Sequence, residues 1–148
     1  MLDTIRSLRD IAQRCLDGVP LDSASARWLG TSLDNYLKHR SRTIEDALGL
    51  HARRGGIPWW LEDAMRKRDA ALRELARRYY SGLSVAAQAR EIHRLAVRYA
   101  SSVWPRERDF DTPPHGDEGA PSRWLWDAFK AGAAMPIGER QLRHVLGT

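Results

Sequence analysis

Ser84-Val85-Ala86-Ala87-Gln88-Ala89-Arg90-Glu91-Ile92-His93-Arg94-Leu95-Ala96-Val97-Arg98-Tyr99-Ala100-Ser101-Ser102-Val103 decides the fold class of this chain. Val85, Ala89, Ile92, Ala96, Tyr99 and Val103 recur at alternating steps of four and three. That is the seam of a helix with one buried side. Leu95 widens the seam, Ser84 is a natural N-cap, and Pro105 closes the segment. Upstream, Trp59 to about Tyr80 reads as a longer helix with Leu61, Met65, Leu72, Leu75 and Tyr79 on its inner stripe. Ala64, Ala71 and Ala76 allow close packing there, and Arg68 interrupts the stripe. Four acid-first pairs at i,i+4 mark its solvated side: Glu62–Arg66, Asp63–Lys67, Asp69–Arg73 and Glu74–Arg78.

The same period recurs on both sides of this pair. Leu2 to Leu16 is predicted helical, with Leu2, Ile5, Leu8, Ile11, Ala12 and Leu16 on one face and Gly18-Val19-Pro20 as its stop. A second helix runs from Asp22 or Ser23 to about His39, its apolar face being Ala26, Leu29, Leu33, Tyr36 and Leu37. Thr43 caps a short turn over Ile44–Leu48 that ends at Gly49. Ser122 caps a helix to about Ala131, with Trp124, Leu125, Ala128 and Phe129 inward. Glu139 to Leu146 closes the chain with Leu142, Val145 and Leu146 inward. Alternating β-branched runs are missing from the sequence, so no strand is expected. The prediction is an all-α protein: a single bundle of about six helices, with a Pro-rich linker before a C-terminal helical hairpin. Its expected division is 1–104 as bundle, 105–121 as flexible linker and 122–148 as hairpin.

Composition bounds the function. The chain has 148 residues, 43% hydrophobic and 29% charged, an ordinary globular balance. The single cysteine, Cys15, excludes an internal disulfide and a thiolate metal cage, and its helix suggests a small core residue. Charges recur every three or four residues from Asp3 onward, so no secretory core and no membrane span is expected. A reducing, cytoplasmic setting fits. The formal net charge is +5, and 21 of the 24 basic residues are arginine. Codon bias in a GC-rich genome accounts for such an excess as readily as selection does. Position is more telling. Residues 1–50 are neutral, 51–80 carry +4, 81–110 carry +2 and 111–148 carry −1. The surplus lies between His51 and Phe110, the footprint of an anion-binding surface.

Within that block, 69–102 has the layout of a helix-turn-helix: a helix to Tyr80, a short turn holding Gly82, and a second helix capped by Ser84. Such a second helix enters the major groove with its N-terminus first. Gln88 is then placed for a base edge, and Arg90, Arg94 and Arg98 form an i,i+4 stripe for phosphates. Arg54 and Arg66 extend the basic set. An αα-hairpin with a solvated arginine stripe satisfies the same pattern. Arg140, Gln141 and Arg143 on the last helix are a second candidate reading set, weakened by the −1 charge of their segment. Arg53-Arg54 ahead of a helix resembles a minor-groove arm, with a plain linker as the alternative.

Six tryptophans suit either base stacking or protein contact. Neither Trp59 and Trp60 nor Trp124 and Trp126 can both face one core stripe, so Trp59, Trp60 and Trp126 are candidate partner-binding residues. Chemistry is poorly served: His39, His51, His93, His115 and His144 are scattered, and no nucleophile elbow, P-loop or dinucleotide turn occurs. Asp109, Asp111, His115, Asp117 and Glu118 lack ligand-like spacing for a cation. No enzyme activity, metal or cofactor is expected.

Two stretches carry a resemblance. Trp28-Leu29, Leu33, Tyr36-Leu37 and Thr43-Ile44-Glu45-Asp46-Ala47-Leu48-Gly49-Leu50 form one. Leu83 to Ile92 forms the other. Together they are similar to small, uncharacterised proteobacterial proteins of phage or plasmid context that contain a helix-turn-helix region. The resemblance covers about 33 residues and implies a DNA-linked, mobile-element role. The reading from sequence is therefore a small DNA-binding regulatory protein using 51–110. The alternative is a helical interaction module, such as a phage-encoded adaptor or inhibitor, using exposed Trp and Arg. Self-association is compatible with both.

Overall fold

The structure is a computed structural model and describes residues 2–52, 54–114 and 120–147. It is all-helical, with eight helices and no strand among the described residues. They are α1 (Leu2–Leu16), α2 (Ser23–Leu37), α3 (Ile44–Leu48), α4 (Trp59–Tyr79), α5 (Val85–Ser102), α6 (Trp104–Glu107), α7 (Pro121–Lys130) and α8 (Glu139–Leu146). Among the described residues no helix is long and apolar enough to cross a membrane.

The helix ends follow local chemistry. The Asp22 carboxylate accepts from the Ser25 amide at 2.9 Å and starts α2. Thr43 Oγ1 accepts from the Asp46 amide at 3.1 Å and starts α3. Gly49 at φ +73° stops α3, letting the Leu50 amide return to the Glu45 carbonyl at 2.8 Å. The same device ends α2 without a glycine: His39 takes φ +55° and the Arg40 amide reaches the Asn35 carbonyl at 2.9 Å. Ser84 Oγ accepts from the Ala87 amide at 3.3 Å and starts α5. Ser122 does not cap α7; Pro121 occupies its first turn, where a missing N–H costs nothing.

The chain divides into two compact units, Met1–Trp60 and Leu61–Thr148. The division falls at the start of α4 rather than in the 105–121 segment. In the first unit α2 packs on α3. Ile5, Ile11 and Leu50 are buried. The apolar face read for α2 is not its inner face: Leu33, Tyr36 and Leu37 are exposed, and Ser32 is the buried residue of that helix. Leu16 is 83% exposed, and Cys15 is exposed rather than in a core.

The second unit has one contiguous core drawn from α4, α5, α7 and α8. α5 is its hub, packing most closely on α8 and then on α6 and α7. The middle of its seam is buried, at Ala89, Ile92, Ala96 and Tyr99, whereas Val85 at the start of the helix is exposed and Val103 at its end is half-buried. Leu72, Leu75, Ile92 and Leu142 are fully enclosed. Tyr99, Trp104 and Phe129 form an aromatic triangle with centroids 5.3–6.4 Å apart, in tilted geometries that favour ring edges against faces. The first part of the expected linker is structured: Trp104–Glu107 is a helical turn with Pro105 near its start, and Glu107 is buried. Residues 115–119, and with them His115, Asp117 and Glu118, lie outside the described residues.

Arg68, the break in the α4 stripe, has a partner in the loop between α7 and α8. Its guanidinium donates to the Ala134 carbonyl and pairs with Asp69 at 2.7 Å. The heptad gap is where the C-terminal loop is tied to α4. Arg73 ties the same region further along, its Nε donating to the Val145 carbonyl at 2.8 Å.

Candidate nucleic-acid interface

α5 presents the site because its opposite side is used up. Ala89, Ile92, Ala96 and Tyr99 are committed to the core, so helical geometry turns Arg90, Arg94 and Arg98 outward. All three are exposed. Arg94 pairs with Glu91 at 2.8 Å, three residues earlier. Arg90 and Arg98 have no carboxylate partner among the described residues. The stripe therefore keeps most of its charge for solvent or for a ligand. At 1.5 Å rise per residue, successive arginines are about 6 Å apart along the axis.

Gln88 is placed differently. It is half-buried, and its Nε2 donates to the Tyr80 carbonyl at 2.9 Å. That carbonyl, at the end of α4, also accepts from the Leu83 amide at 2.9 Å, so Gln88 supplies its second donor. Gln88 thus joins the two helices across the Ser81-Gly82-Leu83 turn and is not presented with the arginine stripe. Burial, with the nearby Glu91 charge as the lesser cause, pushes the Tyr80 hydroxyl above its usual ionisation range.

The other basic candidates scatter. Arg66 donates to the buried Asp63 carboxylate at 2.8 Å, and Lys67 approaches the same carboxylate at 3.2 Å. Two of the four expected acid-first pairs on α4 form, Asp63–Lys67 and Glu74–Arg78. Asp69 pairs with Arg68 instead, and Arg73 turns to α8. Arg54 is exposed and belongs to the first unit. Its neighbour Arg53 lies outside the described residues. Arg140, Gln141 and Arg143 are exposed on α8. Gln141 Oε1 accepts from the Ile137 amide at 2.8 Å, and Arg140 and Gln141 border a groove against α4, not the outer face of α5.

The tryptophans sort sharply. Trp60 is 57% exposed, and Trp59 is half-buried. Trp126 is buried, its indole N–H donating to the Glu107 carbonyl at 3.2 Å, so it is a core residue and no partner contact. Its neighbour Trp124 is half-buried, packed at the edge of the same core. The Arg78 guanidinium lies 4.7 Å over its ring, and Arg123, paired with Asp127, lies 5.6 Å from it. Glu74 fixes this stack by accepting from both Arg77 and Arg78, and those two guanidinium groups hold its carboxyl down to about 2. The sequence implied that one of Trp124 and Trp126 had to leave the core stripe; which one depends on Glu107, nineteen residues upstream.

Among the described residues no group of three or more His, Cys, Asp or Glu side chains is arranged to hold a metal ion. No family model, curated protein or solved structure matches the chain.

Proposed function

We propose that this chain is a small DNA-binding protein that lays the outer face of α5 against the phosphate backbone. The observation that carries the reading is the exposed row Arg90, Arg94 and Arg98 on one side of one helix, opposite its buried seam. Forked guanidinium groups suit phosphate oxygens and guanine edges. The row falls inside the 51–110 block that holds the whole positive surplus. Gln88 serves the turn, which leaves no polar base reader at the first turn of α5 and favours backbone contact over sequence-specific readout. A role in a mobile element or phage is the biological setting proposed with it.

The test is a fluorescence-polarisation titration of duplex DNA at several salt concentrations. Affinity should fall steeply with salt, and the triple variant Arg90→Gln/Arg94→Gln/Arg98→Gln should flatten the slope by roughly 0.9 per lost phosphate contact. Absence of binding to mixed-sequence DNA at low salt rejects the reading. A second reading, a helical interaction module, is favoured by Trp60 and Ile57, two large apolar side chains about half exposed in the first unit. A partner captured from lysate after nuclease treatment and lost in Trp60→Ala supports it.

A further inference from the structure

A groove of about 920 Å³ runs between the first half of α4, the loop after α7, and α8. Its apolar lining includes Met65 from α4, Met135, Pro136 and Ile137 from the loop, and Val145 from α8. Ile137 is 88% exposed, the most exposed large hydrophobic side chain described. Hydrogen bonds hold the backbone on both sides of this side chain. Its own amide donates to Gln141 Oε1, and the Ala134 carbonyl just upstream accepts from Arg68. The loop is thus pinned at both ends in a form that presents its apolar residues. Methionine walls adapt to the shape of an inserted side chain.

The charges around the groove set the sign of its occupant. Asp69, the carboxylate that lines it, is neutralised by a two-point contact from Arg68 at 2.7 and 2.8 Å. Arg140, on the rim, is exposed and has no carboxylate partner among the described residues. The groove therefore offers apolar sockets beside an uncompensated cation. A second copy of this chain is a poor match. Every helix here longer than five residues is neutral or net positive, so none brings the complementary charge.

We propose that this groove docks an acidic amphipathic helix of a partner protein, with Ile137 and the two methionines gripping its apolar anchors and Arg140 pairing with a carboxylate on its flank. The mode is helix-in-groove recognition, in which anchors at i, i+3 or i+4 and i+7 enter a preformed cleft. The site is separate from the arginine row of α5, so it stands or falls independently of DNA binding.

The probe is a fluorescein-labelled peptide of roughly four helical turns with Leu and Phe anchors at helical spacing and Glu elsewhere. Saturable binding is expected, with no binding of the same peptide carrying Lys for Glu. Arg140→Glu and Ile137→Asp should each weaken it at least about tenfold. Arg143→Glu, the same charge change on α8 outside the groove, should alter it less than about twofold. Both groove positions are exposed, and circular dichroism confirms that the variants stay folded. Three results overturn the proposal: equal binding of the Lys peptide, equal loss in Arg140→Glu and Arg143→Glu, or no saturable binding. A dimer in sedimentation equilibrium that Ile137→Asp disperses also overturns it, by assigning the groove to self-association.

Discussion

The Tyr99 hydroxyl donates a 2.7 Å hydrogen bond to the Glu107 carboxylate inside the core of the second unit. Both residues are largely excluded from solvent, at 3% and 9% exposure. Glu107 also offers its backbone carbonyl to Trp126 Nε1. One short helical turn after α5 thereby fixes an aromatic side chain from α5 and another from α7. Tyr99→Phe removes this hydrogen bond to the buried Glu107 carboxylate. A loss of about 1–3 kcal/mol is expected in urea denaturation at neutral pH.

The same contact has a signature in alkali. Burial, and then the Glu107 carboxylate, push the Tyr99 ionisation well above its usual 10. The folded state keeps a proton that the unfolded chain gives up, so this contribution to stability is present below about pH 10 and is lost as pH rises above it. Thermal midpoints should fall from about pH 10 upward, and Tyr99→Phe should show a shallower fall over that range than the parent protein. Equal slopes for the two proteins would remove Tyr99 as the cause.

Glu74 acts at the other end of the scale. Its carboxyl, held down to about 2 by Arg77 and Arg78, stays ionised in the folded protein after the unfolded chain has begun to protonate near 4.5. The stability it contributes is present above pH 4.5 and is lost as pH falls from there toward 2. Glu74→Gln should flatten the acid limb of the stability profile in that window. It also releases Arg78 from its place over Trp124, so the tryptophan emission should shift at neutral pH.

Gln88 separates a joint from a reader. Gln88→Ala is expected to cost about 1 kcal/mol of stability, because the Tyr80 carbonyl loses its side-chain donor and keeps only the Leu83 amide. It should leave DNA affinity unchanged where the protein is fully folded. Loss of sequence preference at full stability would instead return Gln88 to base contact.

His39 holds a left-handed backbone position that an L side chain occupies at a cost of roughly 1–2 kcal/mol. His39→Gly should relieve part of that strain and raise the thermal midpoint of the first unit. His39→Val, branched at Cβ, should lower it. A neutral response to both would mean that α2 frays before the unit melts.

The two units should respond differently to truncation of apolar side chains. Leu72→Ala and Ile92→Ala, at sites fully enclosed in the second core, are expected to cost about 2–5 kcal/mol each. Leu16→Ala and Leu37→Ala, at 83% and 73% exposure, should stay within about 0.5 kcal/mol. Hydrophobic period alone does not distinguish these positions.

Local pattern sufficed wherever one element answers for itself. The α5 seam from Ala89 to Tyr99, the Ser84 and Thr43 caps, the Gly49 stop and the all-helical class depend on spacing along one stretch of chain, and each was legible from the residues. So was the outward row Arg90, Arg94 and Arg98, because a helix that buries Ala89, Ile92 and Ala96 has nowhere else to point it. The rest hangs on contacts between residues far apart in sequence. Leu33, Tyr36 and Leu37 have the spacing of an inner face, yet α2 buries Ser32, because burial is set by the neighbour a helix finds and not by its own period. Trp126 and Trp124 are equivalent in pattern, and the Glu107 carbonyl sends one inward while Arg78 covers the other. Arg68 looked like a flaw in a stripe until the Ala134 carbonyl, sixty-six residues away, supplied its partner. Polar groups such as these are settled only when the fold brings a donor and an acceptor within about 3 Å, a distance no sequence spacing encodes.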